Sequence, residues 1–391
     1  MARAIQLGGR KPAYDVEILR NRIRGAMENG IAGGFFDPQG VEDGIVMGLR
    51  IVGNEIVDCV SEQAERQSGM PFGGIVLGRV YDLEIHDNRI ERNGEQARVA
   101  VCGIFAAHSR NVQITRNLLR DNGRLADGEL LPGPQAGIAL RDAGTMAVMD
   151  PHGKESGTFR VSAVAAVRID GNVVESRRGP ALWIAGMGAM QIRDNRLAAI
   201  DILADLQDEI TDAADAYVGS VYLMNRGLPG YLAGWLAALG FDGLKEGFTL
   251  QGQPVERLVV GGQVQFTGNQ VRLDLTAPTS ELALANMLIF SLDDTSVANN
   301  QSEGVLGRDL LLCDLLNFAI TTRVTGNGFM STPLLTAFSI LSLGLFNHCT
   351  NNQATSCIRA FGFSPKSFIG NNAVIWPHPT YCAEDNVIGA M

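Results

Sequence analysis

The sequence predicts an all-β solenoid, a coil in which short strands stack turn upon turn. Three observations carry this. The pattern apolar-x-x-Asn-x-apolar recurs along the chain, as IVGNEI (51–56), IHDNRI (85–90), IDGNVV (169–174) and IRDNRL (192–197). The apolar columns of these copies are dominated by β-branched residues, which suit a pleated, half-buried surface. With 19% charged residues, 6% aromatic residues and 46 glycines, the composition fits strands and tight turns better than helices.

Self-similarity at intervals of a few tens of residues is the mark of a stacked-repeat architecture. Aligned on the asparagine, eleven copies appear, at Asn21, Asn54, Asn88, Asn117, Asn172, Asn195, Asn269, Asn300, Asn327, Asn352 and Asn372. Most lie 20 to 34 residues apart; the intervals of 55 (117 to 172) and 74 (195 to 269) predict further copies or insertions. Three residues before the asparagine stand Ile18, Ile51, Ile85, Ile114, Ile169 and Ile192, and five before it Leu49, Leu83, Val112 and Val167. Two after it stand Ile23, Ile56, Ile90 and Leu119. Period-two spacing places all of these on an inward face, with a bend between two short strands. Asparagine tolerates left-handed backbone and is expected to occupy the bend itself. Stacked at strand spacing, about 4.8 Å, each side-chain amide can bond the next.

The polar columns predict the same stacking. Glu17, Arg50 and Glu84 alternate in sign four residues before the asparagine, and Arg22, Glu55 and Arg89 alternate one residue after it. Arg24, Glu91, Arg120 and Glu175 form a further such row. Opposite charges on neighbouring strands are favourable, though an exposed pair contributes only about 0–1 kcal/mol. Their effect is on register.

With these residues in view, the chain resembles the right-handed parallel β-helix proteins, the architecture of pectate lyases, polygalacturonases and many phage tailspikes. The resemblance covers nearly the whole chain, 1–391, as a single domain, and implies about 13–14 turns, close to 60 Å long at strand spacing. It says little of activity.

The repeat is interrupted twice. GIALRDAG (137–144) echoes GIVLGR (74–79) and GIFAAH (103–108), so a turn lacking its asparagine is expected between Asn117 and Asn172. Residues 201–260 are expected to bear an insertion with short helices: Leu203, Leu206 and Ile210 have helical spacing, as do Tyr231, Trp235 and Leu239 within 231–248. The second helix covers the side of the coil or, in a functional reading, offers Tyr231 and Trp235 as a binding wall. VGSVYLMN (218–225) reads as a strand of the coil. The C-terminal third is more apolar, which predicts either a fatter core or a surface for a partner. No helix is evident to cover the N-terminal end of the coil, so homo-oligomers or end-to-end assembly are expected partners, beside a glycan or another protein.

A net charge of −10 argues against nucleic acid. No run of 18 apolar residues predicts a membrane span. No apolar leader marks the first residues, so synthesis in the cytoplasm without a cleaved signal is expected, with the final location left open. The six cysteines show no metal spacing and are expected as buried free thiols. No cofactor and no metal is expected.

The polysaccharide-cleaving relatives that the resemblance implies cluster carboxylates on one strand face, with Gly-His-Gly or calcium-binding acids that are missing here. Asp293 and Asp294 are adjacent and point to opposite faces. The weak catalytic candidates are Asp170 and Asp194, beside the asparagine bend on neighbouring turns, in a group with His86, Asp87 and Arg193. His108, His152, His348 and His378 are scattered, and His348 stands beside an inward Cys349. The first functional reading is a non-catalytic structural or glycan- or receptor-binding part of a larger assembly, as tail fibres and adhesins are. The alternative is a polysaccharide lyase or glycoside hydrolase.

Overall fold

The computed structural model describes residues 4–7, 12–34, 44–61, 71–123, 134–144, 165–177, 179–200, 218–227, 245–250, 253–258, 262–275, 283–307, 310–332, 335–364 and 366–374. Among them every regular element is a strand. The strands form a larger parallel sheet of eighteen and a smaller parallel sheet of eleven, one strand of the smaller sheet following each ladder asparagine. Phe72–His86 shows how one turn is built. Its first half pairs with Ile31–Gly33 (Ile31 opposite Ile75) and its second half with Ile45–Val52 (Leu49 opposite Leu83). After the bend at Asn88, Arg89–Glu91 pairs with Glu55–Val57 on one side and Leu118–Asn122 on the other. Successive turns repeat this scheme in register, which makes the chain a stack of parallel turns.

The asparagine column is continuous. Each ladder asparagine donates its backbone N–H and its Nδ2 to Oδ1 of the next, as from Asn21 to Asn54 (2.8 and 3.0 Å), from Asn88 to Asn117 (3.0 and 2.9 Å) and from Asn352 to Asn372 (3.0 and 2.9 Å). From Asn54 onward Nδ2 also reaches a carbonyl of the preceding turn, that of Ile18, Ile51 or Ile85 in the first three cases. From Asn54 to Asn352 the ladder side chains are buried, so these bonds satisfy groups that water cannot reach. The predicted inward columns are buried as well, among them Ile51, Ile85, Ile114, Ile169 and Ile192 and, after the bend, Ile56, Ile90, Leu119 and Val174.

Three expectations are corrected. First, the left-handed residue is the one before the asparagine. Arg20, Gly53, Asp87, Arg116, Gly171, Asp194, Gly268, Asn299, Gly326, Asn351 and Asn371 have φ between 52° and 68°, and no ladder asparagine has positive φ. The bend thus turns the following asparagine inward, where its amide is available to the stack. Second, among the described residues no turn lacks its asparagine. Asn117 donates directly to Oδ1 of Asn172 (2.9 Å from N, 3.0 Å from Nδ2), and Asn195 likewise to Asn269. Ala136–Gly144 pairs between Val101–Thr115 and Leu182–Gly186, so GIALRDAG is the first strand of the turn that ends at Asn172. The ladder therefore has eleven turns rather than 13–14, about 48 Å over ten strand spacings. VGSVYLMN does supply a coil strand, Val221–Asn225.

Third, part of the second predicted helix is strand: Lys245–Leu250 pairs antiparallel with Gln253–Leu258. Residues 201–215 and 231–244, with Tyr231 and Trp235, lie outside the described residues. The C-terminal third keeps an apolar interior, with Leu315, Val324, Phe329 and Ile340 buried beside Asn317 and Ser342, and it also turns bulky side chains outward, as Phe318 (41% exposed) stacked on Phe290 at 5.0 Å. Asp314 is fully buried there, bonded to Ser331, and its Oδ2 has no partner. Burial pushes its carboxyl up to about 7, against the hydrogen bonds from Ser331 and Ser339. Cys59, Cys102, Cys313 and Cys349 are buried free thiols as expected, whereas Cys357 is disulfide-bonded.

Two stability measurements follow from the interior. Asn88→Leu should destabilise the protein by about 1–3 kcal/mol, because it leaves the neighbouring ladder groups unpaired. Arg50→Glu, which acts only through exposed pairs, should cost less than Asn88→Leu; urea unfolding of both variants orders them. Asp314 is neutral in both states below about pH 4. As pH rises toward 7 the unfolded chain ionises it while the fold retains the proton, so its contribution falls across that window and is flat above it. Asp314→Asn should therefore abolish a pH-dependent loss of about 2–4 kcal/mol and melt higher than wild type at pH 8. Parallel melting curves of the two proteins from pH 4 to pH 8 would count against it.

Candidate functional site

Asp170 and Asp194 owe their positions to the bend. Asp194 is itself a left-handed residue (φ 54°) and stacks between Gly171 and Gly268; a Cβ on Gly268 would lie 2.3 Å from its Oδ1. Asp170 sits opposite Arg193 and Thr115, and Arg168 Nε donates to its Oδ2 at 2.6 Å. The two carboxylates therefore occupy different columns, with an arginine over Asp170. His86 and Asp170 are two turns apart through Thr115. Asp87 joins His86 (2.9 Å) to Arg116 (2.8 Å), and the Arg116 and His86 hydrogen bonds hold its carboxyl down at about 2. His348 is exposed and Cys349 buried on the other face, where burial pushes the thiol up to about 12; they form no pair. Asp293, also facing inward, accepts the Gly262 N–H at 2.9 Å.

The structure brings together a cluster that sequence reasoning passed over. His108 Nδ1 lies 2.8 Å from Asp142 Oδ2, Arg110 Nη2 donates to the same oxygen at 3.2 Å, and Arg226 approaches Oδ1 at 3.8 Å. Burial alone would push the Asp142 carboxyl up. The His108 hydrogen bond and the Arg110 charge outweigh it and hold the group below the usual carboxylate range. Such a contact fixes the orientation of an imidazole, as a proton-transferring histidine requires. The signal was in the repeat: superposing GIFAAH on GIALRDAG sets His108 opposite Asp142, as the register has it. Beside this cluster the outer face of the larger sheet carries Phe105, Ala139, Trp183 and Tyr222, with the last two rings stacked at 5.6 Å and 9% exposed.

The outer face of the smaller sheet holds an open depression of about 470 Å³. Its rim is made by Arg120, Glu175, Arg196, Arg272 and Glu303, and Ala198 forms part of its floor. The cause is local. One outward column runs Arg120, Glu175, Ala198, Arg272, Glu303, and the methyl group of Ala198 leaves a gap between long neighbours. In the next column Val173 drops below Arg196 and Gln270 in the same way. From Arg120 to Met330 the depression crosses five strand spacings, about 24 Å along the coil. Glu175 and Glu303 are three spacings apart, about 14 Å, well beyond the ~5–9.5 Å of paired glycosidase carboxylates. The groove can offer hydrogen bonds and charge to an extended ligand, without two acids across one bond.

Among the described residues no group of three or more histidine, cysteine or acidic side chains could hold a metal ion, and no helix is long and apolar enough to cross a membrane. No family model matches the chain, and neither a curated protein nor a solved structure does.

Proposed function

We propose that this chain is a right-handed parallel β-helix that binds an extended glycan along the outer face of its smaller sheet and does not cleave it, as a binding part of a larger assembly. The observation that carries this reading is the groove between Arg120 and Met330, where Val173 and Ala198 interrupt columns of long side chains. Guanidinium, carboxylate and amide groups at its rim suit hydroxyl-rich ligands, and the hydrogen-bonded coil beneath holds them at fixed spacing. A polysaccharide lyase or hydrolase is the second reading. What favours it is the oriented His108–Asp142 pair rather than Asp170 and Asp194.

A panel of acidic and neutral polysaccharides, assayed for binding and for release of reducing or unsaturated ends, tests both. Ala198→Trp should fill the groove and weaken binding at least about tenfold, a loss of ~1.4 kcal/mol, with the melting temperature unchanged. Undiminished binding by this variant would remove the groove from the argument. Release of new ends that stops in His108→Gln would establish the second reading instead.

A further inference from the structure

We infer that copies of this chain stack end to end, the last turn of one on the first turn of the next, so that the asparagine ladder runs on from Asn372 to Asn21 of a second copy. This goes beyond the glycan reading, which concerns the side of the coil, and does not depend on it. The ladder has a direction, because each asparagine donates its backbone N–H and Nδ2 to Oδ1 in the following turn. Its two ends are therefore complementary. Among the described residues Oδ1 of Asn21 accepts no hydrogen bond and the backbone N–H of Asn372 donates none, while Nδ2 of Asn372 reaches only the Cys349 carbonyl, at 2.9 Å. One end lacks a donor and the other lacks the acceptor that every ladder asparagine before it has.

The strands at these ends have one open edge each. Among the described residues Ala13–Leu19 and Arg22–Arg24 pair only with the second turn, and Phe368–Gly370 and Ala373–Val374 only with the tenth. Such an edge presents unpaired N–H and C=O groups that a further parallel strand can take up. Exposure follows the same pattern. In the inward column three residues before the asparagine, Ile18 is 5% exposed and Ile369 7%, whereas the nine residues between them are at 0%. Asn21 is exposed and Asn372 half-buried, and every ladder asparagine between them is buried.

The side chains on the two ends match when the register of the coil is carried across the joint. Ile369 and Val374 of one copy meet Ile18 and Ile23 of the next, apolar on apolar, and Asn21 Nδ2 reaches the Ile369 carbonyl as Asn54 Nδ2 reaches that of Ile18. Six residues before the ladder asparagine stand Asp15 in the first turn and Lys366 in the last, both exposed, so the joint sets opposite charges face to face. Glu17 and Arg22 meet the uncharged Phe368 and Ala373. The two surfaces differ, so the joint is head to tail, and translation along the coil axis leaves it unclosed. The product is an open rod that repeats every eleven turns, about 53 Å at strand spacing.

The test uses the full chain at about 0.15 M salt, where a Debye length of about 8 Å screens the net charge of −10 between copies. Sedimentation velocity and negative-stain electron microscopy at rising protein concentration should show rods of constant width whose lengths step by about 53 Å. Asn21→Leu removes the acceptor and should weaken association at least about tenfold. Added to wild type in small proportion it should shorten the rods, because such a copy joins through its last turn and cannot extend from its first. Asp15→Lys and Lys366→Asp each set like charges across the joint and should weaken association about threefold or more. An equal mixture of these two variants, or the double variant, should restore it. Both positions are exposed, so that rescue separates a lost joint from a damaged fold. A wild type that stays monomeric at every concentration, a closed dimer in place of rods, or charge variants that assemble like wild type would overturn the inference.

Discussion

A buried amide stacked on a buried amide is the constraint on which the rest of this protein depends. An unpaired amide inside an apolar coil is costly, so each ladder asparagine commits its neighbours to one register. A strand slipped by one residue would bury its charged face and break the ladder at once. The inward isoleucine columns supply most of the driving force for collapse, because burial of apolar surface is large and non-directional. They do not by themselves fix which turn sits on which. The amides do, and the left-handed residue before each one aims it.

Given a fixed stack, the outer faces are free to vary in chemistry, and they do so by region. In the first turns the outward columns of the strands flanking the asparagine bend are closed by cross-strand ion pairs, each weak and salt-sensitive but together favouring one register. In the middle turns, the short side chains of Val173 and Ala198 interrupt the outward columns of the smaller sheet and open a groove. On the larger sheet a strip of apolar and aromatic residues runs beside the His108–Asp142 contact. In the last turns the two faces mix, with Phe318, Phe363 and Phe368 outward and Asp314, Asn317 and Ser342 inward beside the buried Leu315, Phe329 and Ile340. One backbone scheme thus presents three different surfaces along its length.

Much of the fold was legible because its determinants are periodic. The asparagine column, the residues three before it and those two after it could be read without any structure, since each position faces the same environment in every turn. The bend was misplaced by one residue because asparagine and the Gly, Asp or Asn before it are all tolerant of left-handed backbone; only the ladder's demand for an inward amide separates them. The count of turns was too high because GIALRDAG repeats the first strand of a turn, while the ladder marks its second corner. The site was less legible. Asp170 and Asp194 drew attention as acids near a bend, yet acids are at home there for conformational reasons. His108 and Asp142 are 34 residues apart, and their meeting depends on counting inside a turn whose second half is displaced by an insertion.

The directness of the Asn117–Asn172 and Asn195–Asn269 contacts has a consequence for how the chain reaches this state. Folding of a stacked coil proceeds by adding one turn to the next, and the entropy of closing each turn grows only logarithmically with its length. Closing 74 residues rather than 20 costs about 1 kcal/mol more. That is small against the stability of a buried turn, so long insertions are tolerated at equilibrium. It is also a toll on speed, met at the same two steps in every molecule. The turns before Asn117 and those after Asn269 are joined by short intervals and can zip up separately. The two long intervals are where the halves must find each other, so they divide a thermodynamically continuous coil into kinetic blocks.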